Sequence, residues 1–477
     1  MEVEAMKQLI RRTNKAQGQF IDDYKTAMRY YYNQNDITNA VSGKSKARDF
    51  GKDNQLLRRA DNRVSANYHQ LIVDQEVGYL VAQAPQIDVE DETFNDYINE
   101  TLGDQFASRL KTLVIYAANA GVAWVHYWKD KDGKFQYGIV PSDQITPVYS
   151  GDLNEKLIAI RRTYQDIDLE SGGSITVYEY WDETGCTAFK ATRKDFRDLE
   201  PMTNRFVERD VTAGNETGES NFMANYDEGH IPFIPFKKNE FELSDLAKYK
   251  GQIDVYDAVY NGFVNDVDDV QQVVLVLTNY GGTDLDEFKN NLKQNKAILM
   301  DDMGGTDKSG VEQLTIEIPV EARNSLLDIT EAKIFKQGQG IDPTKFEANN
   351  ATGAAIKMLY SHLELKASNT ETEFRLGISE LVKAMLRFHG VSDTDSVEVK
   401  QTWTRTMIQN DLERAKIVSQ VAAFTSDEAI AKNNPVVEDW RQELDDREDD
   451  IVKHDGYTDT QALNEVGEPD DGEEEVE

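Results

Sequence analysis

The stretch LAKYKGQIDVYDAVYNGFVNDVDDVQQVVLVL, residues 246–277, decides how the rest of the chain is read. Leu246, Tyr249, Ile253, Tyr256, Tyr260, Phe263, Val267, Val270, Val274 and Leu277 follow one another at intervals of three and four. That spacing puts them on one stripe of a helix. Ser244 offers an N-cap and Gly281-Gly282 a stop. At 1.5 Å per residue such a helix spans roughly 50 Å. A helix of this length with a single seam must lean on neighbours. A coiled coil is one solution. Four of the ten seam positions are large aromatics, Tyr249, Tyr256, Tyr260 and Phe263, which two-stranded coils rarely tolerate. The other solution is an oligomeric wall in which repeated subunits set their helices side by side, and closed rings are the natural end of such heterologous contacts. Gly251 and Gly262 inside the run are a mild objection to the helix.

Downstream, a short helix is expected at about 285–295, then strands at Ala297–Asp301 and Val311–Ile318 joined by a Gly/Asp loop. Pro319 suits the first position of a further helix, to about Gln337, because its missing N–H costs nothing there. Residues 338–353 are rich in helix breakers, and a second very long helix, about Ala354–His389, ends at Gly390. Gly377 in its interior invites a bend. A strand at Val397–Trp403 and helices at Ile408–Phe424 and Ser426–Ala431 complete this half.

Upstream, the chain to about Leu80 reads as helices around a basic segment, Ser42–Arg48, and another helix covers about Asp104–Asn119. Ala123–Trp128, Phe135–Val140, Leu157–Tyr164, Ile175–Trp181 and Cys186–Ala191 are short runs between turn clusters, the pattern of an antiparallel meander. Ile231-Pro-Phe-Ile-Pro-Phe236 is apolar but broken by proline, so it fits an edge better than a central strand. The expected class is α+β, mainly helical.

Composition narrows the function. The 477 residues allow two to four packed units, and 39% hydrophobic residues allow a real core. Acids outnumber bases 87 to 52, a net charge of -35. Such a protein does not hold nucleic acid by counterion release, nor bind anionic membranes, yet its surface could let DNA slide past. From residue 437 onward 18 acids face three bases, and this tail is expected to be disordered. A lone cysteine, Cys186, suits a reducing cytoplasm. Neither a signal peptide nor a run of apolar residues long enough to span a membrane is expected.

The search for chemistry returns little. Gly43-Lys44-Ser45 resembles the end of a phosphate-binding loop, but Thr38 stands where its first glycine belongs. His69, His126 and His230 have no second ligand at metal spacing and read as hydrogen-bonding groups. Cys186 reads as an inert thiol. Asp266, Asp268 and Asp269 read as a solvated helix face rather than a metal site. No catalytic residue, cofactor or metal is assigned.

The order of long helix, small α/β insert, proline-started helix, Gly/Asn-rich loop and long bendable helix resembles the portal proteins of long-tailed double-stranded DNA bacteriophages. Local strings are similar too: Tyr30-Tyr-Tyr-Asn33, Asn67-Tyr-His-Gln-Leu-Ile-Val-Asp74, Ile253-Asp-Val-Tyr-Asp257, Ala351-Thr-Gly353, Lys357-Met-Leu-Tyr360 and Thr404-Arg-Thr-Met-Ile-Gln-Asn410. The resemblance implies a wing (1–240), a stem helix (241–282), a clip (283–318), a second stem helix (319–338), a tunnel loop (339–353), a long bent helix (354–390), a crown (391–436) and the acidic tail (437–477). It also implies a ring, of the dodecameric kind, at one capsid vertex of the virion, built in the host cytoplasm. Its partners would be itself, double-stranded DNA in the channel, the terminase large subunit, major capsid and scaffold proteins, and head–tail connector proteins. Another connector or scaffold-type structural protein without a DNA-gating role is the alternative.

DNA has to pass such a channel in both directions, and strong phosphate contacts would trap it. The tunnel loop is therefore expected to touch DNA weakly, through Pro343, Thr344, Lys345, Phe346, Asn349 and Asn350, with Gly338, Gly340 and Gly353 as hinges. In the clip, Lys289, Lys293 and Lys296 form a small basic patch facing the motor or connector, or else an ordinary solvated helix face. The stem seam is Ile253, Tyr256, Tyr260, Phe263, Val267 and Val270.

Overall fold

The structure, a computed structural model, describes residues 1–39, 60–130, 132–153, 156–168, 172–193, 195–202, 227, 229–270, 274–278, 310–314, 318–345, 353–406, 418–434, 437, 442–444 and 447. The chain divides into two units, 1–343 with 362–406, and 344–361 with 407–477.

In the first unit, helix α1 (Val3–Tyr31) is followed by a single turn, α2 (Asp36–Asn39), an irregular strap at 60–67, and helix α3 (Tyr68–Leu80). Strand β1 (Gln86–Asp88) and helices α4 (Glu92–Leu102) and α5 (Phe106–Ala120) come next. The elements expected from sequence do not include α4. Only Ile98 and Leu102 of it are buried, and its start is fixed by Asp91, whose carboxylate accepts from Phe94 N at 3.0 Å.

The strands form two sheets rather than one meander. β2 (Val122–Lys129), β3 (Phe135–Val140) and β9 (Phe233–Lys237) make an antiparallel sheet in the order β3-β2-β9. β4 (Ile145–Tyr149), β5 (Leu157–Ile167), β6 (Ser174–Asp182), β7 (Gly185–Ala191) and β8 (Glu200–Met202) make a five-stranded meander. β9 lies on an edge, as its prolines require, with Pro235 opposite Trp124. Trp124, Val140 and Phe233 of the small sheet pack against Ile160, Trp181 and Cys186 of the large one. On the large sheet's other face, Met6 and Ile10 of α1 cover Tyr178, Phe189 and Ala191. The far end of α1 belongs to a different core, where Ala27 and Tyr30 meet three further helices.

Helix α6 (Leu246–Val270) is shorter than its apolar spacing predicts: 25 residues, about 38 Å. Val274–Thr278 is strand β10, paired antiparallel with β11 (Gly310–Leu314) from Val274↔Leu314 to Thr278↔Gly310. The reason is chemical. Residues 273–278, VVLVLT, are continuously apolar or β-branched, so positions 274 and 277 satisfy a helical spacing by default, while branching at Cβ favours the strand. The helix expected to run from 246 to 277 is thereby corrected to 246–270. Helix α7 (Val320–Gly338) has Pro319 as its N-cap rather than its first residue, and so begins one residue later than expected. Helix α8 (Gly353–His389) stops at Gly390, whose φ of 99° lies in the left-handed region. Gly377 has a role other than bending. A Cβ there would lie 2.8 Å from the Phe236 ring, so glycine admits the edge strand β9 against α8. Strand β12 (Lys400–Thr402) pairs with β1.

In the second unit, helix α9 (Asp427–Asn433) is capped by Ser426, which accepts from Ala429 N at 3.3 Å, and Arg447 pairs with Asp427 at 3.2 Å. The short helix and first strand expected at 285–301, the basic segment 42–48 and the last 30 residues lie outside the described residues.

Candidate functional site

The helices flanking the breaker-rich loop meet around α3. Ile253 of the predicted seam is fully buried in a core with Tyr30, Ile72, Leu246, Tyr249, Ile334 and Phe335. Tyr256 continues it, its ring edge-on to Tyr68 at 5.0 Å. Beyond this point the seam leaves the core. Tyr260 and Val267 are 41% and 40% exposed, and Phe263 faces the Arg323 guanidinium at 5.5 Å. Val270 closes the helix.

The buried stripe of α6 instead runs on through Asp257 and Asn261. These residues grip the strap. Asp257 accepts from Ala66 N at 2.9 Å and from Asn35 Nδ2 at 2.7 Å. Asn261 accepts from Val64 N at 2.7 Å and donates to Val64 O at 2.8 Å, and Asn265 accepts from Asn62 N at 2.6 Å. Asp268 takes the Asn62 side chain, and Asp266 pairs with Arg323 of α7. The solvated face expected of these residues holds for Asp268, which is exposed while it meets Asn62, and is corrected for Asp266, which is partly buried against Arg323. Sequence inspection missed this ladder because its partners are main-chain groups of an irregular segment.

A second feature that sequence reading missed holds the loop's ends. Gln75 of α3 donates from Nε2 to Ile341 O at 2.7 Å and accepts from Ile341 N at 2.8 Å. Gly338 and Gly340 are pressed against the same helix. A Cβ at Gly338 would stand 2.7 Å from Ile72 Cδ1, and one at Gly340 2.9 Å from Gln75 Oε1. Their geometry is close approach, and the left-handed residue between them is Gln339, φ 55°.

One residue along α3, Glu76 joins a closed network with Lys238, Asp245 and Lys366, each 3% exposed or less. Lys366 Nζ lies 3.0 Å from Glu76 and 2.9 Å from Asp245, Lys238 pairs with Glu76 and sits 3.3 Å from Asp245, and Thr370 donates to Glu76 at 2.8 Å. The two ammonium groups hold both carboxyls below their ordinary range despite burial. The carboxylates in turn raise Lys366, whereas burial outweighs them at Lys238 and lowers it. Beside the network, His69 joins Tyr249 (Nδ1 to the hydroxyl, 2.7 Å) to Asn119 (3.0 Å), and burial pulls its pKa down to about 4. His69 is thus a neutral hydrogen-bonding group, as its isolation in the sequence implies. His126 likewise meets Pro232 O at 2.8 Å, and burial pushes the Cys186 thiol up.

Pro343, Thr344 and Lys345 form a single 3₁₀ turn, with Pro343 and Thr344 exposed, and Gly353 begins α8. Phe346, Asn349 and Asn350, and Lys289, Lys293 and Lys296, lie outside the described residues.

This arrangement ties helices together. Its buried charges are spent on one another, and among the described residues no group of three His, Cys, Asp or Glu could hold a metal ion. No described helix is long and apolar enough to cross a membrane. The chain belongs to the phage portal protein family of the SPP1 Gp6-like type, whose family model matches residues 11–455. It is 33% identical over 452 residues to the portal protein of Clostridium phage phiCD119, covering 92% of this chain and 94% of that one. It is 30% identical over 429 residues to the portal protein of Bacillus phage SPP1, covering 87% and 81%. A chain from the neck of a native GTA particle, solved with C12 symmetry, overlays at a TM-score of 0.41 and 11% identity, covering 77% of this chain and 91% of its own.

Proposed function

We propose that twelve copies of this chain close into a ring at one capsid vertex, and that the ring is the channel through which double-stranded DNA enters and leaves. Membership of the portal family is the observation that carries this reading. In this reading α6 and α7 form the stem and 339–353 the tunnel loop. Residues 283–318 form the clip that meets the terminase large subunit and later the connector, with Lys289, Lys293 and Lys296 towards those partners. Residues 1–240 form the wing and 391–436 the crown, against capsid and scaffold proteins.

Charge supports a channel that does not grip. With a net charge of -35 the protein offers the duplex few phosphate contacts, and each contact avoided removes one term from non-specific retention. Lys345, with Phe346, Asn349 and Asn350, supplies a weak contact from the loop, and Pro343 and Thr344 its first exposed turn. Gly353 is the remaining hinge candidate, because Gly338 and Gly340 are pressed against α3. Combining Lys345→Ala with Phe346→Ala is expected to leave ring formation intact and lower the fraction of packaged DNA retained severalfold. Normal packaging and retention in that variant would remove the loop from the mechanism.

A further inference from the structure

We propose that Gln75 is a releasable catch for the loop between α7 and α8, working against a permanent anchor at Glu76 one residue along the same helix. The inference rests on the channel reading of that loop. It starts from a difference in chemistry between the loop's two roots.

The C-terminal root is α8, which the network described above fixes to Glu76 through Lys366 and Thr370. Tyr79, another turn along α3, donates to Glu364 of the same helix. Withdrawing Lys366 leaves buried Glu76 with Lys238 alone and Asp245 with Lys238 and the more exposed Lys248, so this root does not let go while the fold persists. The N-terminal root is Ile341, held to α3 by the two neutral hydrogen bonds of one partly buried amide. A neutral bond contributes little net free energy, because water can replace either partner. The root therefore leaves and returns without disturbing the network. A bidentate amide also sets position: it fixes the height of Ile341 along α3 and its rotation. Gly340 fits the same reading, since its lack of a Cβ leaves room for Gln75 Oε1. Gln75 is thus a positioning residue for a loop whose other root is fixed.

The test compares rings of the full chain. Gln75→Leu removes both bonds, Gln75→Glu keeps the acceptor and loses the donor, and Gly340→Ala pushes the amide away from the other side. Asp74→Asn, on the exposed face of α3 where Asp74 accepts from the Tyr31 hydroxyl, serves as a control. Native mass and melting temperature report assembly, hydrogen exchange of the 336–345 peptide reports the root, and the fraction of DNA retained after packaging reports the loop. In Gln75→Leu and Gly340→Ala, rings are expected at the wild-type mass, exchange of Ile341 about tenfold faster, and retention lowered severalfold, with Gln75→Glu between these and wild type. Wild-type exchange in Gln75→Leu overturns the catch. So does faster exchange with unchanged retention, provided that a ring whose residues 344–352 are replaced by Gly-Ser of equal length loses retention. If that replacement retains DNA normally, the channel role of the loop fails, while the exchange result still decides whether Gln75 holds Ile341.

Discussion

Lys366 stands where two buried carboxylates need it. Glu76 and Asp245 come from different elements and would repel each other without the ammonium groups between them. A buried pair broken from one side costs about 3–5 kcal/mol, because the remaining charge keeps its desolvation and loses its partner. Lys366→Met is expected to destabilise the subunit by that amount in denaturant titration. Replacing Glu76, Lys238, Asp245 and Lys366 together with apolar residues of similar volume is expected to cost much less. The pH dependence has a definite sign. Both carboxyls are depressed in the fold, so their contribution is complete above the ordinary carboxylate range and is lost as pH falls through their lowered values. The fourfold apolar variant is expected to lack that part of the acid transition. None of this could be read from sequence. Glu76 sits among Gln75, Val77 and Gly78 with nothing to mark it, and its partners arrive from 162 and 294 residues away.

At the scale of elements, α6 shows how a polar helix face can bind irregular chain. Asp257, Asn261 and Asn265 are spaced four apart, about 6 Å per step along a helix. The strap groups they hold belong to Ala66, Val64 and Asn62, two apart, about 6.6 Å per step in extended chain. The two repeats match closely enough for three successive contacts. Burial pushes the Asp257 carboxyl up to about 6, against hydrogen bonds from Asn35 and Ala66 that lower it and with the Asp254 charge adding to the rise. A raised carboxyl means that the docked strap binds the proton more tightly than the free one. Its contribution is full below the ordinary carboxylate value and is lost as pH rises through about 6. Exchange of the Ala66 amide, corrected for its intrinsic rate, is expected to slow between pH 7 and pH 5. Apolar periodicity reported α1 and most of α6, because burial on one face decides them, and Pro319 and Gly390 marked the bounds of α7 and α8. It failed at 274–278, where an unbroken apolar run carries no period, and at α4, where a cap and two buried side chains suffice. It was silent on the strap, which is held by hydrogen bonds rather than apolar burial.

At the scale of the whole molecule, the helices assigned to the stem leave apolar surface uncovered. Leu326 and Ile329, one turn apart on α7, are 43% and 51% exposed, and Tyr260 and Val267 share one side of α6. In the ring proposed above these would be the faces for neighbouring copies. Leu326→Glu with Ile329→Glu is expected to shift native mass from the ring to single subunits with unchanged melting cooperativity; rings at wild-type yield would place the interface elsewhere. The Glu76 network also imposes an order on synthesis. Glu76 leaves the ribosome 294 residues ahead of Thr370, and Lys366 only just before it. At about 5–20 residues per second, α3 waits roughly 15–60 seconds for the second cation and the hydroxyl that complete the compensation of Glu76, Lys238 having arrived earlier. A polypeptide that ends before residue 366 lacks Lys366 and Thr370, two of the groups that compensate Glu76, and its helical core is expected to open more readily than that of the full chain.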